Sequence, residues 1–203
     1  MLPEPQSNRL LRVSEVIRDS GLGSDFSHIP ARILDPAIAR GNAVHKAVEL
    51  IADGDLDRDS VPEHLRGYIA AYDRFVAETH YQPIATEIDL HHPLGFAGRP
   101  DSIGWVAGYR YLVDLKTPLV VNPGPLLLQL SAYWQAWPVT FPTEPLRGVG
   151  CLQLRPDGKY KWRRHDLSVA WSVFCSALAM LQGRASPAQL AAIDAWASRY
   201  PVG

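Results

Sequence analysis

Residues 98–117 have the sequence Gly-Arg-Pro-Asp-Ser-Ile-Gly-Trp-Val-Ala-Gly-Tyr-Arg-Tyr-Leu-Val-Asp-Leu-Lys-Thr. Apolar and polar positions alternate on both sides of Ala107-Gly108, a pair typical of a tight turn, so the stretch predicts two antiparallel strands. A turn centred between these two residues places Asp101 opposite Asp114. Directly opposite residues on one sheet face bring their side chains to about 5 Å from each other.

The strand after the turn predicts a chemically unusual face. Side chains alternate along a strand, so Asp114 and Lys116 share one face and Leu115 points to the other, into the core. Two facing carboxylates repel unless a cation lies between them or one is protonated. Mg²⁺ accepts few protein carboxylates and keeps waters for chemistry. We therefore predict that Asp101 and Asp114 hold a divalent cation, and that Lys116 orients the attacking water and steadies phosphate charge.

Periodicity predicts further elements on both sides of this hairpin. Strands are predicted at 84–91, 95–106 and 109–117 as a three-strand meander, and at 146–154 and 159–165 as a second hairpin. Helices are predicted at 9–20, 35–52, 62–80, 124–137, 167–182 and 187–198, with a loop at 21–34 and disorder at 1–8. Asp35 is the predicted N-cap of its helix and Pro36 the first helical residue. This order favours one α/β domain, with a central mixed sheet of about five strands flanked by α-helices.

The helix at 35–52 carries a further candidate ligand. Gly41, His45 and Glu49 follow one another at single-turn spacing and lie on one face. Glycine inside a helix costs about 1 kcal/mol relative to alanine, so close approach of another backbone or a ligand is expected there. A lone helix histidine is more often structural. His45 is a metal ligand only if this helix packs against the edge that carries Asp101 and Asp114.

Five motifs follow one another within residues 41–133. They are Gly41-Asn42-Ala43-Val44-His45, Glu87, Gly98-Arg99-Pro100-Asp101, Asp114-Leu115-Lys116-Thr117 and Gln129-Leu130-Ser131-Ala132-Tyr133. In this combination and order the chain resembles the PD-(D/E)XK nucleases, in particular their RecB-type and phage-like exonuclease branch. The resemblance implies a restriction-endonuclease-like core in a single domain spanning 1–203. In this domain, residues 1–34 would form an N-terminal helix and loop, 35–165 the catalytic core, and 166–203 the C-terminal helices.

The resemblance also implies roles for individual residues. His45, Asp101 and Asp114 would bind Mg²⁺ or Mn²⁺, together with the carbonyl of Leu115. Lys116 would be the catalytic lysine. Gln129 and Tyr133 match a helix motif that braces the site or touches the DNA backbone. For Glu87 two interpretations stay open, a charge that faces solvent or a group that supports the metal ligands from behind.

The chain departs from one part of that family. The related CRISPR adaptation nucleases and some helicase-fused members carry four cysteines around an iron–sulphur cluster, whereas this chain has only Cys151 and Cys175. We therefore expect no iron–sulphur cluster and two buried free thiols. We expect the motifs that resemble a nuclease to stand without a helicase domain. The N-terminal Val13-Ser14-Glu15-Val16-Ile17 is similar to short phage-encoded exonucleases and to a mitochondrial single-strand exonuclease.

Net charge restricts how nucleic acid could bind. The formal net charge of the 203-residue chain is −1, so DNA binding must depend on local charge. Arg99, Arg40 and Lys46 lie nearest the proposed ions in the sequence and are the preferred phosphate contacts. The hairpin at 159–165 places basic side chains on one face and Tyr160 and Trp162 on the other, and we interpret it as an ordinary edge hairpin.

The sequence and the resemblance together favour a Mg²⁺- or Mn²⁺-dependent DNA exonuclease that acts on DNA ends or single strands. The alternatives are a structure-selective or nicking endonuclease of the same fold, a catalytically silent DNA-binding module, and an unrelated two-carboxylate enzyme such as a glycosidase. No apolar run is long enough to span a membrane, and the first residues do not resemble a secretory signal. The expected location is the cytoplasm of a bacterial or phage-infected cell, with a second copy or a recombination or replication protein as partner.

Overall fold

A five-stranded mixed sheet forms the centre of the protein, whose computed structural model describes residues 9–201. Its strands, in spatial order, are β2 (Gln82–Thr86), β5 (Ser102–Val106), β6 (Tyr109–Lys116), β7 (Gly148–Leu154) and β8 (Tyr160–Arg164). Strands β6 and β7 run parallel, and the other neighbours are antiparallel. The predicted α/β class, with a mixed sheet of five strands between helices, is confirmed.

A second, three-stranded sheet corrects the predicted meander. It consists of β1 (Leu11–Arg12), β4 (Phe96–Gly98) and β3 (Leu90–His92), in that order. The strands predicted at 84–91 and 95–106 are each broken, and their halves join different sheets. The first breaks at Glu87, whose φ of 50° is left-handed and incompatible with an extended strand. The second breaks at Arg99-Pro100, because proline has no N–H to donate to a neighbouring strand.

Six helices are present among residues 9–201. They are α1 (Val13–Asp19), α2 (Ala31–Asp53), α3 (Glu63–Thr79), α4 (Pro123–Thr140), α5 (Ala170–Leu181) and α6 (Pro187–Arg199). The predicted start of α2 was wrong. The helix begins four residues before Asp35, and Pro36 lies inside it. Pro36 is only the sixth helical residue and has no N–H. It therefore removes one backbone hydrogen bond close to the start of the helix. The disorder predicted for residues 1–8 lies outside the described residues.

The helices form two layers on opposite faces of the central sheet. Helices α2 and α3 cover one face and enclose a core with Tyr111, Val113 and Leu115 of β6. The other face packs against α4, with α1, α5, α6 and the small sheet beyond it, and Leu112 belongs to this second core. Leu115 therefore points into the core, as its position in the strand predicts.

The register of the β5–β6 hairpin determines where the site lies. Ser102 pairs with Val113 and Ile103 with Leu112, so the next position outward sets Asp101 across from Asp114. This is the predicted pairing. Asp101 itself stands just before β5, at the point where the chain crosses from the small sheet to the large one.

The cysteines and the second hairpin can also be compared with their predictions. Both thiols are free, and Cys151 is buried as predicted, but Cys175 is only partly buried. Tyr160 and Trp162 point inward, with ring centroids 5.4 and 5.6 Å from that of Phe75, which supports the interpretation of β7–β8 as an ordinary edge hairpin. Within residues 9–201, every helix is too short or too polar to cross a bilayer.

Candidate active site

Asp101 is a buried carboxylate with both of its oxygens engaged. Its Oδ2 accepts a hydrogen bond of 2.6 Å from the backbone N–H of Leu115, and its Oδ1 lies 3.2 Å from Nδ1 of His45. Burial alone would raise the pKa of Asp101. The His45 contact, the charge of Lys116 and the Leu115 N–H outweigh burial and hold the pKa below its usual value. Asp101 is therefore charged and held in place.

Asp114 stands directly across from Asp101 in a very different environment. The residue is 1% exposed, and neither of its side-chain oxygens has a hydrogen-bond partner among the described residues. Its nearest countercharge is Lys116, whose Nζ lies 2.5 Å from Oδ2 in an ion pair, and the charge of His45 acts in the same direction from farther away. Burial, reinforced by the charge of Asp101, raises the pKa of Asp114 to about 6, although Lys116 opposes the shift.

Lys116 and His45 are the cationic partners of this carboxylate pair. Burial would lower the pKa of Lys116, but the charges of Asp114 and Asp101 raise it above its usual value, so the ammonium stays charged. The pKa of His45 is also raised, because its contact with Asp101 outweighs the effect of burial. The site is a compact cluster in which the two acids face each other, with His45 beside Asp101 and Lys116 beside Asp114.

His45 reaches the cluster because α2 crosses the end of β6. A Cβ placed on Gly41 would lie 3.4 Å from Oγ1 of Thr117, which shows how near the helix comes to the strand. The condition set from the sequence, that this helix packs against the Asp101–Asp114 edge, is met. A distance of 3.4 Å is an ordinary contact with a side chain, so the close approach of another backbone that Gly41 predicted is not found.

Tyr133 and Gln129 cover the opposite side of the cluster. Both lie on α4 one turn apart, and Nε2 of Gln129 donates a 3.1 Å hydrogen bond to the Tyr133 hydroxyl. Burial and the charge of Asp114 raise the pKa of Tyr133, which is therefore a neutral hydroxyl. The tyrosine ring lies against Gly98, where any Cβ would collide with it. The glycine of the Gly-Arg-Pro-Asp motif is thus needed for packing.

The remaining predicted residues lie around this cluster. Arg99 is exposed and makes a forked pair with Asp89, at 2.8 and 2.9 Å. Lys46 is exposed and pairs with Glu49 at 2.7 Å, and Arg40 is half-buried.

Glu87 is exposed and lies between β2 and β3 instead of on the predicted strand. Its backbone N–H donates to the carbonyl of Asp101. Partial burial and the charge of Asp101 raise the pKa of its carboxyl. Glu87 therefore lies beside Asp101, and its side chain is exposed to solvent.

A groove of about 620 Å³ opens beside Tyr133, and sequence analysis did not foresee it. Three arginines and Asp89 contribute to its wall, and residues of the small sheet, α1 and α4 supply the rest. The lining includes Arg9, Arg12, Ser14, His91, Gly98 and Arg99. Arg9 and Arg12 lie far from the motifs in the sequence. Only the parallel pairing of β1 with β4 brings them beside Gly98 and Arg99.

Gln153 is a second residue that the motifs do not indicate. It lies on β7 in register with Lys116 and is nearly fully buried. Its Nε2 donates to the backbone carbonyls of Pro118, at 2.5 Å, and Leu119, at 3.0 Å. A polar position in an otherwise apolar strand is the sequence signal that could have identified it.

In residues 9–201, no three His, Cys, Asp or Glu side chains converge closely enough to form a ready metal site. The two acids are instead paired with His45 and Lys116.

Comparison with known proteins identifies the fold. No family model matches the chain, and no curated protein matches it in sequence. A crystal structure of a candidate exonuclease from Eubacterium rectale is similar, with 11% identity and a TM-score of 0.53, over 93% of this chain and 83% of that one. The structure of the protein SSO0001 covers 89% of this chain and 79% of its own, with 12% identity and a TM-score of 0.38, too low for argument. The first likeness shows a shared α/β fold.

Proposed function

We propose that this protein is a divalent-metal-dependent DNA exonuclease of the PD-(D/E)XK superfamily, within its RecB-type and phage-like branch. One observation carries the proposal. Asp114 is a buried carboxylate without a hydrogen-bond partner in the described chain, facing Asp101 and flanked by Lys116. A charged group is expensive to bury unless a cation or hydrogen bonds compensate it. Lys116 compensates the charge of Asp114 only in part, because burial and the charge of Asp101 still raise its pKa, so the arrangement is poor for stability and suited to binding a metal ion.

The donor set fits Mg²⁺ or Mn²⁺. Carboxylate oxygens are preferred by both, and an imidazole suits Mn²⁺ as well. His45, Asp101, Asp114 and the Leu115 carbonyl would hold the ion, with Asp114 offering Oδ1, which has no partner among the described residues, and Oδ2, which is paired with Lys116. When bound, such an ion lowers the pKa of its water and neutralises charge on the phosphate.

The chain's own residues supply the other parts of phosphodiester hydrolysis. Lys116 is a permanently charged ammonium at the edge of the cluster, where it orients the attacking water and stabilises charge developing on the phosphate. Gln129 and Tyr133 brace the opposite wall, and the neutral tyrosine hydroxyl offers a hydrogen bond to a phosphate oxygen. Glu87 is too exposed to hold an ion tightly, and we assign it a supporting role near Asp101.

The groove beside Tyr133 is the preferred path for the DNA backbone. Arg9, Arg12 and Arg99 line it, and guanidinium groups recognise phosphates through forked hydrogen bonds. Arg9 is paired with Glu15 and Arg99 with Asp89, so a phosphate would replace these acids as the partner of each arginine, and this local exchange is how a chain with a net charge of −1 would bind DNA. Arg40 and Lys46 flank the site on the α2 side and provide further phosphate contacts. The shared fold with the candidate exonuclease from Eubacterium rectale agrees with this proposal.

Cleavage assays test the proposal directly. The purified chain would be incubated with end-labelled linear DNA and with circular DNA, single- and double-stranded, in Mg²⁺, Mn²⁺ or EDTA. We expect linear DNA to be degraded with either metal and to survive in EDTA. Lys116→Ala and Asp114→Ala should each lower the rate at least about a hundredfold, as loss of one preorganised charged group typically does. The exposed Lys161, on β8, provides the control variant Lys161→Ala.

The outcomes separate the alternatives. Intact DNA under every condition would refute the nuclease proposal. Undiminished cleavage by Lys116→Ala would leave a nuclease with a different site. Cleavage of circular DNA would show that the protein is an endonuclease of the same fold and not an exonuclease.

A further inference from the structure

The loop between β6 and α4 projects two apolar side chains into solvent. Leu119 is 65% exposed and Val120 is 86% exposed, more than any other large apolar side chain in the described part of the chain. We call these two residues the apolar tip. Single exposed apolar residues are common on protein surfaces, but two adjacent ones with such exposure invite an explanation.

The backbone that carries the tip is held in place from inside the protein. The buried amide of Gln153 donates to the carbonyls of both Pro118 and Leu119. On the other side, Asn122 caps α4 by accepting a 3.0 Å hydrogen bond from the N–H of Gly124. The side chains of the tip are therefore exposed on a backbone that hydrogen bonds hold in place. The buried amide of Gln153 contributes two of these hydrogen bonds.

The tip also lies close to the candidate active site. Three peptide units separate Leu119 from Lys116, so their Cα atoms are at most about 11 Å apart. Thr117, between them, is buried against α2 at Gly41. Residues 117–125 contain no acidic side chain that would repel a phosphate. A nucleic acid strand with a phosphate at Lys116 has its neighbouring nucleotides within reach of Leu119 and Val120.

We propose that the apolar tip contacts the faces of unpaired bases in the substrate strand, next to the phosphate bound at Lys116. This inference rests on the proposed nuclease function and adds a substrate preference to it. Apolar side chains, like aromatic ones, can pack against the faces of unpaired bases. Base faces are accessible in single strands and at frayed ends, whereas they are stacked inside a duplex. The tip therefore favours unpaired DNA.

A protein partner is a poorer fit for the same surface. A stable protein interface buries about 800 Å² on each side, far more than two side chains supply. The tip also stands at the edge of a catalytic cluster, where a permanent protein partner would block access to Lys116. Binding of a second copy of the chain at the apolar tip is therefore the alternative, and the experiment below can detect it as a dimer.

The test compares two DNA strands and two double variants. One strand is a short single-stranded oligonucleotide, and the other has the same length and backbone but abasic sites in place of its bases. Leu119→Ser/Val120→Ser removes the apolar tip. Leu190→Ser/Val169→Ser changes the same residue types at exposed positions on α6 and before α5, and is the matched control. Binding is measured by fluorescence anisotropy in EDTA, and KM and kcat are measured with Mn²⁺.

We expect the wild type and the control to bind the strand with bases about tenfold more tightly than the abasic strand, which corresponds to removing roughly 50–60 Å² of apolar surface from water. The tip variant should bind both strands equally, with a raised KM for the normal strand and an unchanged kcat. Equal preference for bases in the tip variant and the wild type would overturn the proposal, as would failure of the wild type to bind either strand.

Two further results distinguish a contact with bases from a contact between copies of the chain and from the proposed nuclease activity. Loss of a dimer in sedimentation, with base preference retained, would show that the tip is a contact between copies of this chain and would overturn the base contact. Base preference that depends on the tip, in a protein that cleaves nothing, would uphold the contact while refuting the nuclease.

Discussion

The two faces of β6 are both buried, yet they are built differently. On the face covered by α2 and α3, Tyr111, Val113 and Leu115 pack among apolar side chains. On the face toward α4, Leu112 is followed by Asp114, which is as deeply buried as Leu115 but carries an unsatisfied carboxylate. The apolar face toward α2 and α3 stabilises the fold. On the face toward α4, the buried carboxylate of Asp114 lowers the stability of the folded protein. Four substitutions test this contrast.

Leu115→Ala should have the largest effect on stability. Leu115 is 2% exposed, and removing a fully buried leucine side chain lowers the free energy of unfolding by about 2–5 kcal/mol. Urea unfolding measures the change. The backbone carbonyl stays in place, so cleavage below the unfolding temperature should persist. Leu190→Ala, at an exposed position, serves as the control, and equal effects of the two changes would deny that the α2–α3 face is the stabilising one.

Asp114→Asn should act in the opposite direction. Because burial raises the pKa of the folded Asp114 to about 6, the charged form costs stability. This cost grows as pH rises from about 4 to about 6, and above that it reaches at most about 3 kcal/mol.

The Asn variant should therefore unfold at higher temperature than the wild type at pH 7 in EDTA, with little difference at pH 4. Mn²⁺ should stabilise the wild type alone. Asp73→Asn, in the exposed pair with Arg58, is the control and should bring no gain. A variant that is less stable than the wild type at pH 7 would contradict the stability cost assigned to this face.

Gly98→Ala tests the packing of the α4 face around the charge. The new methyl group would collide with the Tyr133 ring and press on Val13. Overpacking of this kind costs about 1–3 kcal/mol, and the displaced tyrosine should slow cleavage. The cost should shrink when Tyr133→Ala is added, which a double-mutant cycle measures. Additive effects would mean that the two residues do not press on each other.

Gly41→Ala should have the smallest effect, and a favourable one. Gly41 lies inside α2, where alanine improves helix stability by up to about 1 kcal/mol. Its Cβ would meet only Oγ1 of Thr117, at 3.4 Å. Thermal unfolding should show a small rise, with cleavage retained. A marked loss of stability would show that the approach of α2 to β6 is tighter than this distance implies.

Much of the candidate site could be predicted because it depends on local geometry. Strand alternation and one turn determine that Asp101 faces Asp114 and that Lys116 lies beside it. The position of His45 required one long-range assumption, the packing of α2 on the edge, and the structure meets it. Metal binding, DNA cleavage and the division of the domain at residues 34 and 165 stay predictions.

The parts that were missed depend on long-range pairing or on local backbone conformation. The break at Glu87 follows from its left-handed φ. Glycine and asparagine are the residues that usually indicate this conformation in a sequence, and neither occurs at this position. The two-sheet arrangement depends on β1 pairing with β4, a contact between distant segments that no periodicity encodes. For the same reason Arg9 and Arg12 could not be connected with the site from their neighbours in sequence, whereas Gln153 is marked as a polar position in an apolar strand but its place beside Lys116 depends on the pairing of β6 with β7.

The parallel pairing of β6 and β7 has a consequence for biosynthesis. The two strands are separated in the chain by the whole of α4, so the strand with Asp114 and Lys116 gains its inner neighbour only after Gly148–Leu154 has been made. Until then β6 is an open edge, and Gln153 has not yet fixed the loop after Lys116. Loop-closure entropy delays such non-local contacts in folding. The local turn between β5 and β6 can bring Asp101, Asp114 and Lys116 together early, but their buried surroundings form late, when most of the protein has already been synthesised.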